Sequence, residues 1–140
     1  MILPTEKRNA VSVNPRFLVY FGKPKVGKTT LAAGLEDNLI IDLEKGTYHL
    51  SALVMEASSV KELSEIAKAI ADKNKELGKY AYKRITIDNG TKLEEMILPL
   101  ALQLYRETPK QPMGRILETL CVKLLKLLET PNRTISSQIS

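Results

Sequence analysis

Tryptophan is absent, phenylalanine occurs twice and tyrosine five times in a chain of 140 residues. So few rings leave few platforms for stacking nucleobases, and affinity for a single strand would have to come from basic loops, with a steep dependence on salt. Cysteine occurs once, at Cys121, which excludes an internal disulfide framework and fits a reducing compartment. Histidine also occurs once, at His49, so a thiol nucleophile paired with an imidazole base is a poor reading. No apolar run approaches the ~18 residues of a membrane span, and the stretch from Met1 to Arg8 lacks the order of a secretory signal; both point to the cytoplasm. Internal repeats and low-complexity tracts are missing too, which excludes solenoid and fibrous classes.

What is present has the balance of an ordinary globular domain, 44% apolar and 26% charged residues, and the length suits one domain. Lysine and arginine outnumber aspartate and glutamate by 21 to 16, a formal charge of +5 that permits an anionic partner such as a nucleotide or nucleic acid. Lysine-rich helix faces are ordinarily just wet surface, so charge alone identifies nothing.

Residues 1–16 mix charges with Pro4 and Pro15 and read as a lead-in arm. Phe17 to Phe21 is a short continuous apolar run, the pattern of a strand covered on both faces in a parallel sheet. Helical spacing follows from Thr29, and Asn38 to Leu43 returns to the buried-strand pattern, which makes a βαβ unit. Ser59 and Glu62 form a capping box ahead of a helix carrying Val60, Leu63, Ile66, Ala67, Ile70 and Leu77, with Gly78 as its stop. Arg84 to Asp88 reads as a third strand. Thr91 and Glu94 suggest a second capping box, opening a helix with Pro99 as a kink or early break. A loop from Thr108 to Gly114 precedes a last amphipathic helix over Ile116 to Leu128, and residues 131–140 read as a flexible tail. The domain is thus expected to span residues 17–130.

Between the first strand and its helix stands Gly22-Lys23-Pro24-Lys25-Val26-Gly27-Lys28-Thr29, followed by Thr30. It fits G-x-x-x-x-G-K-[ST] without mismatch and in the context that motif requires. A triphosphate needs many donors converging on a small volume, and glycine lets backbone N–H groups approach where a Cβ would collide. The helix starting near Lys28 turns its unpaired N–H groups and partial positive charge toward the anion. Lys28 adds a full charge for the β and γ phosphates, and the Thr29 hydroxyl suits a bridging Mg2+. Lys23 and Lys25 occupy the variable positions of the loop.

A second carboxylate is needed to organise the metal, and two strands end in one. Arg84 to Asp88 is the better Walker B candidate, because parallel strands bring their functional ends to one edge and Asp88 would emerge beside the phosphate loop. The simpler alternative is an aspartate that caps the next helix. Asp42 and Glu44 end the other strand on the same edge, where Glu44 could polarise water for attack on the γ phosphate or merely face solvent. His49 follows on that loop and reads as structural or exposed.

The order of these stretches, Gly22 to Thr30, then Ile41 to Gly46, then Ile85 to Asn89, then Thr91 to Glu95, resembles the phage-encoded nucleotide-binding proteins of the AAA type with a RecA-like core, over about residues 15 to 106. The resemblance implies an α/β fold, a three-layer P-loop NTPase with a mostly parallel sheet. It implies ATP binding and hydrolysis with Mg2+, in several members coupled to single-stranded DNA annealing or recombination, inside the bacterial host cell. It allows a homo-oligomer. By motif match, Lys28 and Thr29 take the phosphate and metal roles, Asp88 the Walker B role and Glu44 the water-activating role. RecA-like ATPases also carry a strand between the phosphate-loop strand and the Walker B strand, bearing a polar γ-phosphate sensor. Here the tail from Arg133 is the only remnant on offer, and the sheet is expected to be incomplete.

Two other classes stay open at this stage. One is a binding-only module that holds ATP without turning it over, motivated by the missing sensor strand. The other is a small-molecule or nucleoside kinase, which shares the phosphate loop but ordinarily carries an arginine-rich lid, and no arginine cluster is visible. A GTPase is disfavoured, since no Asn-Lys-x-Asp stretch occurs.

Overall fold

A computed structural model describes residues 2–7, 9, 17–47, 49–107, 110–130 and 132–138. Most of the sequence-predicted N-terminal arm lies outside the described residues, as does part of the loop at 108–109. Five strands and four helices follow in the order β1 (Phe17–Gly22), α1 (Lys28–Ala33), β2 (Asn38–Asp42), β3 (Leu53–Glu56), α2 (Val60–Leu77), β4 (Arg84–Asp88), α3 (Gly90–Glu107), α4 (Met113–Leu127) and β5 (Asn132–Gln138). The strands make one sheet in the order β1-β5-β4-β2-β3, and every neighbouring pair is parallel. The α/β class expected from the sequence is therefore the one observed.

Burial explains which strands were legible. All five residues of β2 are buried, and four of the five in β4. β2 and β4 are thus covered on both faces, but β1, expected to be covered likewise from its apolar run, lies at the sheet edge with Phe17, Leu18 and Phe21 exposed, so an apolar run alone does not establish burial. Because successive side chains alternate, the sheet has two distinct faces. Leu39, Ile41, Ile85 and Ile87 join Leu63, Ile66 and Ile70 of α2, Leu93 and Ile97 of α3 and Leu125 of α4 in the main core. The alternate residues Asn38, Ile40, Asp42, Thr86 and Asp88 sit on the other face, with α1 packed against β1 and β2. That face is partly polar. Asn38 Nδ2 donates to the Ala32 carbonyl at 2.8 Å, and Thr86 Oγ1 donates to Asn38 Oδ1 at 2.9 Å. Both side chains are buried, so the network ties the end of α1 to the two central strands at a fixed depth.

Residues 132–138 are not a tail. They form β5, inserted between β1 and β4, in the place where the sequence seemed to lack a strand. Of its residues only Ile135 is strongly apolar, so the strand gives no hydrophobic signal and is held instead by backbone ladders on both sides. Its entry is fixed by polar contacts. Asn74 Nδ2 donates to the Glu129 carbonyl at 3.0 Å, Thr130 Oγ1 to the Tyr82 carbonyl at 3.0 Å and Arg133 Nε to the Leu128 carbonyl at 3.0 Å. The turn that leads into β5 is thereby anchored to the turn that leads into β4.

Other elements differ from the sequence reading in smaller ways. β3 is a short edge strand with three of its four residues exposed, and nothing in its pattern announces it. α2 begins as expected, with the Glu62 N–H donating to Ser59 Oγ at 3.2 Å, and the Glu62 carboxylate reaches back to accept from the Ser58 N–H and hydroxyl. Gly78 ends α2 in the left-handed region at φ 66°. α3 is capped not by Thr91 but by Asn89, whose Oδ1 accepts from Lys92 N–H at 2.8 Å. Pro99 lies inside α3, which continues to Glu107 instead of breaking. Among the described residues no helix is long and apolar enough to cross a membrane.

Two outcomes follow for stability. Asn38→Ala leaves the buried Thr86 hydroxyl without its acceptor and removes one of the two bonds to the Ala32 carbonyl, which keeps the Leu35 N–H, so urea denaturation should show a loss of ~1–3 kcal/mol, larger than for Thr86→Val. A chain ended at residue 131 exposes the inner edges of β1 and β4, and calorimetry should find no cooperative transition.

Candidate functional site

The parallel register brings one row of residues to the same edge of the sheet: Tyr20 beside Ser136, Ser136 beside Asp88, Asp88 beside Asp42, and Asp42 beside Glu56. The loop after β1 curls over this row. Gly27 sits at φ 94° and ψ 17° immediately before α1, a conformation glycine adopts without strain. At Gly22 an added Cβ would lie 2.8 Å from Val26 Cγ2 and 3.6 Å from Lys28 Cδ, so the loop closes this tightly only because no side chain is there.

Lys28 lies across the loop, its Nζ donating to the Gly22 and Lys23 carbonyls, each at 2.8 Å. Tyr20 Oη donates to the Lys28 carbonyl at 3.4 Å. Thr29 Oγ1 donates to Asp88 Oδ2 at 2.8 Å, which joins the start of α1 to the end of β4. Asp88 is only 8% exposed. Burial raises its carboxyl above the ordinary aspartate range; the Thr29 hydrogen bond opposes this, the charges of Asp42 and Glu44 reinforce it and Lys28 opposes it. Tyr20 is pushed up to about 12, by burial first and then by the Asp88 charge.

Asp42 does something different. Its Oδ1 accepts from the Glu44 and Lys45 N–H groups at 2.9 and 2.8 Å, and its Oδ2 from the Thr47 N–H and hydroxyl at 3.2 and 2.7 Å. Four hydrogen bonds saturate this carboxylate and fold residues 44–47 around it, which presents Glu44 at the rim.

Pro24, Lys25, Gly27, Lys28, Thr29, Thr30, Asp42, Glu44 and Asp88 line one cleft of about 560 Å³, together with Gly46 and with His49, which reads from the sequence as structural or exposed. That volume is within the range of small-ligand sites. Gly22 and Lys23 lie outside the cleft wall and contribute carbonyls to Lys28, while Val26 is exposed. The part played by Thr47, which completes the Asp42 cluster, has no sequence signature; neither does the place of His49 in the wall, since one histidine in a loop resembles any exposed residue.

A parallel sheet with a glycine loop and a helix N-terminus at its carboxyl edge defines a nucleotide-binding domain of the P-loop NTPase type. Residues 14–112 match the AAA domain family, and the chain belongs to that family. No curated protein matches the sequence.

Because burial raises Asp88 above its unfolded value of about 4, its contribution to stability is intact below pH 4 and is lost as pH rises through the raised value. Asp88→Asn keeps an acceptor for Thr29 without the charge. Its melting temperature should therefore exceed that of the parent by a few degrees at neutral pH, with the gap closing toward pH 4. A gap that does not change with pH would contradict this account.

Proposed function

We propose that the chain binds ATP in the cleft and hydrolyses its γ-phosphate anhydride bond. The observation that supports this most is the meeting of Lys28, Thr29, Asp88 and Glu44 at one cleft from three separate strand ends. On this reading the backbone N–H groups around Gly27 and the start of α1 hold phosphate oxygens. Lys28 exchanges its two carbonyl partners for phosphate, a stronger, charge-assisted pairing.

The donors beside the phosphates are a hydroxyl and a carboxylate already 2.8 Å apart, hard oxygen ligands of the kind Mg2+ takes. Thr29 and Asp88 would hold the ion, which supplies neutralisation of phosphate charge. Glu44 accepts the proton of the attacking water as its oxygen bonds to the γ phosphorus and ADP leaves. Asp42 keeps Glu44 at the rim through the loop it folds.

The binding-only alternative rested on a missing strand between β1 and β4, and β5 occupies that position, with Gln138 in register beside Gly22. This favours turnover over mere retention. We extend the resemblance to its biological setting: hydrolysis serves phage DNA recombination or single-strand annealing in the bacterial cytoplasm.

Lys28→Ala should weaken MgATP binding by roughly tenfold or more in calorimetry. Glu44→Gln should leave binding near the parental value and slow phosphate release on the order of a hundredfold, measured with and without single-stranded DNA. Parental turnover in Glu44→Gln removes Glu44 from the mechanism; absence of ATP binding by the folded parent removes the function.

A further inference from the structure

A second groove, of about 740 Å³, opens beside the first and shares Glu44 and Gly46 with it. Its walls are Lys45, Ser58 and the start of α3, with Asn89 at the base. Asn89 is 1% exposed, and its Oδ1 is committed to the Lys92 N–H. Its Nδ2 has no partner among the described residues. A buried amide donor without an acceptor is costly and uncommon in native structures, so it calls for a group outside the protein.

The surroundings specify what that group is. The first intrahelical bond of α3 runs from Leu93 N–H to the Asn89 carbonyl at 3.2 Å, so the N–H groups of Gly90 and Thr91 have no helical partner. No acidic residue stands in the first turn of this 18-residue helix to offset its dipole. On the walls Lys45 and Lys92 balance Glu44 and Glu95. The Lys92–Glu95 pair, at 3.3 Å, joins two largely exposed groups and is weak enough for Lys92 to be shared. With the wall charges balanced, the Asn89 side-chain amide and the Thr91 N–H decide the sign of the ligand, and both are donors.

We infer that this groove is a second anion site, which takes a phosphate group of a ligand other than the nucleotide in the first cleft. The same chemistry is offered by a free phosphate or phosphomonoester and by a phosphodiester of a single nucleic-acid strand. The site uses none of the phosphate-loop residues and shares only the loop after β2 with the first cleft, so its binding can be measured apart from ATP hydrolysis.

The test is a titration of the isotope-labelled full chain with inorganic phosphate and, separately, with a short oligothymidylate, followed by amide NMR and repeated in Lys28→Ala to silence the first cleft. The Gly90 and Thr91 N–H and the Asn89 side-chain amide resonances should shift saturably in both backgrounds. Response to phosphate alone assigns a small phosphoanion; tighter response to the oligonucleotide assigns a phosphodiester. Thr91→Glu adds a carboxylate where the dipole of α3 favours it, so this variant should remain folded and bind at least tenfold more weakly. Asn89→Asp, which keeps the cap acceptor but loses the donor, should do the same. If neither ligand moves these resonances, or if folded Thr91→Glu binds like the parent, the second site is excluded.

Discussion

All-parallel pairing is the constraint from which the rest of the molecule follows. When every strand runs the same way, every strand end reaches one edge, and the residues that finish β1, β4 and β2 become neighbours although they are far apart in sequence. The hydrogen bond from Thr29 to Asp88 is the local expression of that geometry, since it closes a gap of 59 residues with one contact of 2.8 Å. Had β4 itself run antiparallel to β1, Asp88 would have ended at the opposite edge, away from the loop after β1.

Two buried aspartates lie side by side in register, and their environments separate their roles. Asp42 accepts four hydrogen bonds from its own loop, which satisfies its charge and commits it to shape. Asp88 accepts one from Thr29 and is otherwise desolvated, so its charged form is disfavoured. A carboxylate in the second condition gains from any cation brought beside it; one in the first condition gains little. The sequence set Asp88 ahead of Asp42 by the position of its strand, but the shaping part of Asp42 could not be read, because it depends on how the Glu44, Lys45 and Thr47 N–H groups and the Thr47 hydroxyl fold back onto it.

How much could be read in advance depended on what holds each element. The turn from Gly22 to Thr29 between β1 and α1 was legible because its glycines fall where the chain closes tightly at Gly22 and takes a left-handed conformation at Gly27. β2 and β4 were legible because each sets isoleucine or leucine for the main core between a polar start and a terminal aspartate, Leu39 and Ile41 in one and Ile85 and Ile87 in the other. β5 was not, since Asn132 to Gln138 is held by ladders to two neighbours and by contacts from Asn74, Thr130 and Arg133, none of which leaves a period in the sequence. The same holds for the start of α3. Thr91 and Glu94 present a capping pattern, yet Asn89 emerges from β4 already placed to cap and so takes the position first.

The loop after β2 is where the two grooves meet. Its backbone is pinned at the base by the Leu43 N–H, which donates to the Asp88 carbonyl at 2.7 Å, and along its length by Asp42. A ligand in either groove therefore encounters a stiff partition carrying one shared carboxylate, Glu44. Stiffness matters here, because a partition that yielded to either ligand would absorb its influence locally. With the backbone held, what reaches the other groove is the charge and orientation of Glu44. Whatever free-energy coupling the two ligands have through this side chain acts equally in both directions. Two anions on opposite sides of one carboxylate repel it and each other, so occupancy of both grooves is favoured only when cations stand between them. Lys45 on the second groove and Lys28 on the first are the cationic side chains placed to do so.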